Sequence, residues 1–559
     1  MHTLHKYSVL LSFPARKLAA LGILLLASSI CGASSNFFVT PAGTGDCTQT
    51  SPCELQTALN LATDHDKVLL AQGTYTNTGE VVVAVTHSIS LLGGWDNTNS
   101  NPVARDPGTY VSILDGENQR RVLTIAANTS PTIDGLTITR GNATGLGGGF
   151  SSSDAGGGIY SVDATPVITH NILTDNVAST QKDARGMGGA VYLQSASGSA
   201  TVGHNRFLNN TAGIAIHLGD GGGLFLSSPG VIHDNEFRNN KGCRSCTGQG
   251  GAINVGWTEA RPLITRNLIR DNQAQKGAGI DLFWSAAQVI GNDFVNNDAV
   301  SGSGIYAHYD KGSTISNNTL LANLNSTLWI NITFPDQEKT IVSNNVIADS
   351  STGIFAYSDW HIAAIDLIHN TLVNNTEGIY IGKNMTATLT NNLIADHDKG
   401  VILSTAEGAA IISDNTLFWQ NTDDGFRGNN PVDGDPTFLD AANDDYHIGS
   451  GSAAIDAGID STTTTDLDGT PRPNGMAPDI GAYEYAATPF SCSGDNVIVN
   501  YDFGQIKPVV CTATGSITTQ NKVNILPGAD VSFHAGSGIT LLNGFAVKHH
   551  AVFHASIIP

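Results

Sequence analysis

Between Asn171 and Asn415 the apolar and polar positions of this chain repeat one phrase ten times: a glycine-rich turn, an aliphatic residue, a variable stretch, then Asn, one residue, a large apolar residue and usually a second Asn. The marked asparagines are residues 171, 205, 235, 267, 292, 318, 345, 370, 392 and 415, so the spacing shortens from 34 residues to 22 and 23. Three residues before each stands Ile, Val or Leu, from Ile168 to Ile412. Two residues after each stands Leu173, Phe207, Phe237, Ile269, Phe294, Leu320, Ile347, Leu372, Ile394 or Leu417. Short alternating segments broken by polar turns read as strands with one buried face. A period in the twenties is shared by leucine-rich repeats and parallel β-helices, and the strand pattern favours the β-helix. An Asn side chain carries donor and acceptor and tolerates left-handed turns, so stacked copies predict an asparagine ladder with a step of about 4.8 Å.

Alternation also predicts what points outward. Aligned on the residue after each glycine turn, Ile159, Ala190, Leu224, Ala252, Ile280, Ile305, Leu328, Ile354, Ile379 and Val401 should face in. The next residues, Tyr160, Val191, Phe225, Ile253, Asp281, Tyr306, Trp329, Phe355, Tyr380 and Ile402, should then face out. Such a face is too apolar for ordinary exposure, and Trp257, Trp284, Tyr309, Tyr357 and Trp360 follow close beside it. Aromatic rings stack on the apolar faces of sugars, and charged groups fix hydroxyls and carboxylates. The strip therefore predicts a glycan groove with Trp257, Trp284, Tyr306, Tyr309, Trp329, Tyr357, Trp360 and Tyr380 as its platforms. A loop or a second subunit covering the strip is the competing explanation.

Composition adds a secreted character: 62 Gly, 14% charged residues, and no long helical pattern after the N-terminus. Lys6, Arg16 and Lys17, the apolar run Leu18 to Ala27 and Cys31-Gly32-Ala33 read as a signal peptide over 1–33. Its apolar run is too short to span a bilayer, and no second candidate follows, so no transmembrane anchor is expected. Without the leader, 24 Lys+Arg face 49 Asp+Glu, a net of −25, which argues against nucleic acid as a partner. Six cysteines remain as near pairs, Cys47/Cys53, Cys243/Cys246 and Cys492/Cys511, suiting three local disulfides. No cofactor is fixed by the sequence; calcium is the one cation the acidity brings into consideration.

The chain reads as all-β and divides into an N-terminal cap over 34–66, a parallel β-helix solenoid over 67–429, a closing segment over 430–487 and a small β domain over 488–559. The closing segment carries Ser452-Ala453-Ala454-Ile455-Asp456-Ala457-Gly458, Asp466-Leu467-Asp468-Gly469 and Asp479-Ile480-Gly481-Ala482-Tyr483-Glu484. These motifs, with Gly73-Thr74-Tyr75 near the cap, resemble secreted bacterial choice-of-anchor Q proteins built on a pectate-lyase-like repeat. The resemblance implies a right-handed parallel β-helix, here of about 12–13 coils, and no single activity. Val531-Ser532-Phe533-His534-Ala535-Gly536 and Ala551-Val552-Phe553-His554-Ala555 resemble the three-coathanger stack, which implies a display or accessory-binding module. That stack's usual Pro-Gly-Phe is replaced by Asn543-Gly544-Phe545.

An enzyme on this face would need an acid or base beside the sugar. Asp281, His308, Asp310, Lys311, Asp359 and His361 are the catalytic candidates, with Lys383 a further base. A lyase would neutralise a uronate with a cation or Arg and remove the adjacent proton with a base, whereas an inverting hydrolase would need two spaced carboxylates. No Gly-His-Gly or Arg-Ile-Lys of the polygalacturonase kind is present, and Arg261-Pro262-Leu263-Ile264-Thr265-Arg266 misplaces its proline for a pectate lyase. The sequence reading is thus an exported binder of extended polysaccharide or surface glycan. A lyase or hydrolase in the same groove comes second, and an adhesin or structural surface protein third.

Overall fold

The computed structural model describes residues 34–213, 219–243, 248–258, 261–333, 338–485, 493–499, 508–519, 523–525, 530–542, 545–547 and 552–557. The leader, Cys246, Cys492 and the Asn543-Gly544 pair lie outside the described residues. Three long sheets run the length of a right-handed parallel β-helix. Sheet A has 16 strands from Asn36–Val39 to Ala410–Asp414, sheet B has 14 from Gly73–Tyr75 to Val432–Asp433, and sheet C has 13 from Val81–Val85 to Asp423–Gly425. The 13 strands of sheet C count the coils. Among the described residues no helix is long and apolar enough to cross a membrane.

Register explains the repeat. Ile133, Ile168, Val202, Ile232, Ile264, Val289, Ile315 and Val342 pair in succession along sheet A and are fully buried. Leu173, Phe207, Phe237, Ile269, Phe294, Leu320 and Ile347 do the same in sheet B. From His170 to Asn391 each coil turns the corner from A to B through a residue of positive φ followed by the ladder Asn. The Asn205 backbone N–H and Nδ2 both donate to Asn235 Oδ1, at 2.9 and 3.0 Å, and Nδ2 also donates to the Ile168 carbonyl at 2.8 Å. A second ladder, five residues on, repeats the geometry after sheet B through Asn176, Asn210, Asn240, Asn272, Asn297 and Asn323.

The tenth phrase slips by one residue. Thr416, not Asn415, follows Asn392 in register; Ile412 is 59% exposed while Ser413 faces inward, and Phe418 rather than Leu417 continues the column from Ile394. Asn415 instead takes the corner position and donates to the Ala457 carbonyl at 2.8 Å.

A ladder residue should matter by what it leaves behind. Asn240→Ala removes the acceptor of the Asn210 N–H and Nδ2, both fully buried. Urea denaturation should show a loss of about 1–3 kcal/mol, and less than about 0.5 kcal/mol would show that the ladder is decorative.

Both ends are closed. Strand Asn36–Val39 pairs with Ser51–Cys53 and with Lys67–Ala71, the Cys47–Cys53 disulfide ties the hairpin, and helix α1, Leu55–Leu61, buries Leu55 and Ala58 on the first coil. Cys243 and Cys511 are also disulfide-bonded. At the other end, the segment after the last coil folds back along the A–B corner. Asn344 Nδ2 donates to the Thr465 carbonyl at 2.6 Å and Asn391 Nδ2 to the Ile459 carbonyl at 2.7 Å. In it His447 bridges Asp445 and Asp468 at 2.6 and 2.7 Å. Burial alone would push the His447 pKa down, but the two carboxylates carry it up to about 10. The folded state therefore holds a proton that the unfolded chain gives up near pH 6.5. This contribution is complete below about pH 6.5 and fades as pH climbs toward 10. Melting temperatures across that window should fall for the native chain and flatten for His447→Gln; parallel slopes would refute the linkage.

The small C-terminal sheet is parallel, and Cys511, Ile517, Val531 and Phe533 fill its core.

Candidate functional site

Each central coil enters sheet C through a left-handed glycine: Gly156, Gly188, Gly221, Gly250, Gly277 and Gly302, with φ between 57 and 67°. A Cβ at Gly221 would lie 2.3 Å from the Leu224 carbonyl oxygen, so the turn requires glycine. The first inward residue comes three positions later. The turn glycine is thus the first of each run, not the last, which corrects two expectations. Val191 and Ile253 pair with Leu224 of the coil between them and face the core, fully buried. Tyr192 and Asn254 take the outward places.

The outward column of sheet C therefore reads Tyr160, Tyr192, Phe225, Asn254, Asp281, Tyr306, Trp329, Phe355, Tyr380 and Ile402. Its aromatics pile along the rod. Tyr192 stacks on Tyr160 and Phe225 with centroids 5.7 and 5.1 Å apart, both at 9°. Trp329, Phe355 and Tyr380 stack at 4.2 and 4.7 Å. Rings stacked on one another turn only their edges outward, so this column joins coil to coil as the asparagines do. Phe150 roofs the first run, 6.1 Å from Phe225. Three indoles beyond the column are exposed: Trp257 at 47%, Trp284 at 37% and Trp360 at 70%. Trp257, Trp284 and Tyr309 each hold positive φ just past a sheet C strand, a costly conformation for an aromatic residue. Lys311 Nζ lies 4.7 Å over the Trp284 ring, and Tyr309 stacks on His308 at 3.9 Å.

Between the two aromatic runs the face is polar. Asp281 is fully buried; Oδ2 accepts from Asn254 Nδ2 at 2.8 Å, while Oδ1 has no partner among the described residues. Burial, then the Asp220 charge, raises its pKa well above the carboxylate range, against the opposing pull of Lys276 and Arg185. Asp220, also buried, accepts from Arg185 Nε at 2.6 Å and leaves Oδ1 unpartnered among the described residues. Lys276 Nζ sits 5.1 Å over the Tyr306 ring. Burial, and next the Lys276 ammonium, pushes His308 down to about 4, so it is neutral at pH 7. Its Nδ1 and the Trp329 Nε1 are buried without partners among the described residues.

Asp220 and Lys276 reach this place by a shared position. Each is the residue before the turn glycine, in the column Ala155, Met187, Asp220, Gln249, Lys276 and Ser301 that runs beside sheet C. The sequence reading missed Arg185, Asp220, Asn254 and Lys276, although the change from Ala155 and Met187 to Asp220 and Lys276 was a visible signal.

The expected candidates divide. Asp281 and His308 join this cluster. Asp310 is buried and caps its own turn, accepting from the Gly312 and Ser313 backbone at 3.3 and 3.0 Å and from the Ser313 and Thr340 hydroxyls. Asp359 lies farther along, accepting from Asn331 Nδ2 at 2.8 Å and pairing with Lys383 at 3.2 Å. Tyr357 meets Trp329 edge-on at 6.0 Å, and His361 is exposed.

A parallel β-helix rod with a charged cluster set into one outward face is what fold and site define. The chain matches the family described as a right handed beta helix region over 112–320 and 259–394, together 283 of its 559 residues, and belongs to it. No curated protein matches it in sequence. Among solved structures it is similar to the pectate lyase Pel9A, at 13% identity and a TM-score of 0.33 over 81% of this chain and 97% of that one. It is similar also to the PL6 alginate lyase AlyGC, at 14% and 0.38 over 93% and 74%, and to XylC in complex with xylose, at 10% and 0.38 over 80% and 98%. Likeness at this level fixes neither substrate nor mechanism.

Proposed function

We propose that the chain binds an extended polysaccharide along the outward face of sheet C, centred on Asp281. One observation carries the reading: the exposed indoles of Trp257 and Trp284 stand 5.9 Å apart just past successive sheet C strands, beside the polar cluster of Asn254, Asp281 and His308. Paired exposed rings beside polar and charged groups suit the apolar faces and hydroxyls of a sugar chain, whereas a protein partner, as an adhesin would need, calls for a continuous apolar face. The exposed indoles of Trp257 and Trp284 border the cluster and supply stacking surface.

Cleavage in the same groove is a second reading, favoured by Lys276, a cation beside a buried acid and a neutral imidazole. In a lyase, the neutral His308 would remove the proton next to a uronate carboxylate that Lys276, or a calcium ion held by carboxylate oxygens, neutralises, and the glycosidic oxygen on the following carbon would leave and take up a proton from solvent. Export belongs to the same proposal: the leader would be cleaved, the closing segment would cap a choice-of-anchor Q rod and the small β domain would display it.

The test incubates the tag-free chain with a panel of neutral and uronate polysaccharides, following retention and the ultraviolet absorbance of unsaturated ends with and without EDTA. Retention without product supports binding alone. Product that disappears in Lys276→Ala supports the lyase, and no retention on any polymer overturns both.

A further inference from the structure

We propose that His204, His233 and Asp234, on the A–B corner away from sheet C, form a binding site for a dication of the zinc class. One ligand atom from each residue lies within 4.8 Å of the other two. Two imidazoles and a carboxylate are a donor set that zinc takes with its fourth position left to solvent.

The backbone makes room for this arrangement. His233 falls in sheet A register with Gly203 and Thr265. A Cβ on Gly203 would come within 2.5 Å of the His233 ring, so a glycine there lets the imidazole lie against the neighbouring coil. It meets the His204 ring at a centroid distance of 5.2 Å and an angle of 89°. His233 Nδ1 is 2.7 Å and His204 Nε2 4.0 Å from the same Asp234 oxygen.

The rest of the corner column supports a separate use for these positions. In later coils the corner residues Asn344, Asn391 and Asn415 hold the closing segment. At the earlier corners His204 and Asp234 take the same left-handed place, and the imidazoles of His204 and His233 keep 32% and 21% exposure, which leaves an approach for an ion. The competing cation is Arg266, whose Nε and Nη2 reach the two Asp234 oxygens at 2.9 and 2.8 Å. An arriving metal must share that carboxylate or displace the guanidinium.

Cobalt(II) is the probe, titrated into the tag-free chain while visible absorption and thermal melting are recorded. Saturable absorption bands that zinc displaces are expected. His204→Ala and His233→Ala each delete a ligand and should weaken binding by at least the roughly 10–100-fold that loss of an outer-shell partner costs. Gly203→Ala should weaken it as well with the melt preserved, because the movable imidazole and not the backbone must yield. Arg266→Gln should tighten it by removing the competitor. No saturable cobalt absorption in the native chain, or equal binding by a folded His204→Ala/His233→Ala double variant, overturns the proposal.

Discussion

Glu484→Gln should destabilise the protein by about 3–5 kcal/mol, because it strands a buried guanidinium. Arg472 and Glu484 are 1% and 0% exposed at the side chain and paired with each other. Arg472 also donates to the Asp479 and Gly481 carbonyls at 3.0 and 2.7 Å, and Glu484 accepts from the Asn474 and Asp479 backbones at 2.8 Å. The substitution keeps the shape but deletes the charge and turns one of two accepting oxygens into a donor facing a donor, and burial already works against the ionised Arg472. Loss should begin at the C-terminal end, since coils of a solenoid are stabilised chiefly by their neighbours and the segment caps the last ones. Limited proteolysis should open sites within 430–485 before any in the central coils. Simultaneous cleavage along the whole rod would show that the closing segment does not act as a cap.

Phe237→Ala should cost a comparable amount, about 3–5 kcal/mol, from the middle of the rod. Phe237 is fully buried and stacks on Phe207 of the preceding coil at 4.4 Å and 10°. Its removal leaves a cavity between fixed ladder hydrogen bonds on both sides, which prevents the coils from collapsing into it. Phe237→Leu keeps most of the volume and should cost about 1.5 kcal/mol or less. Urea denaturation of the pair separates the two, and equal losses would mean that the site relaxes freely.

The scaffold was readable because one residue sets each of its constraints. An inward aliphatic three places before Asn and an inward Leu, Ile or Phe two places after it survive changes in loop length. The pattern slips at Asn415, where Thr416 takes the ladder position but pairs with the Ser413 hydroxyl, and the strand continues one residue out of phase. The outward face was harder. Taking the last glycine of each turn as the reference misplaced Val191 and Ile253, since alanine replaces the final glycine at Ala190 and Ala252. Alternation predicts which aromatics face out but not how their rings turn, so Trp329 and Tyr380 read as sugar platforms where they stack on Phe355. Asp310 looked like a groove acid and binds its own turn. Asp220 and Lys276 were missed because coils of unequal length bring them to Asp281 only through register.

The claim that sheet C is a glycan-binding face stands or falls on one comparison: affinity electrophoresis of the native chain and of Trp257→Ala/Trp284→Ala through the polysaccharide panel. Native protein should be retarded by at least one extended polymer. The double variant should bind it roughly tenfold more weakly with an unchanged melting temperature, as expected from two lost stacking contacts. Equal retardation of both proteins, or none by any polymer, would contradict the account.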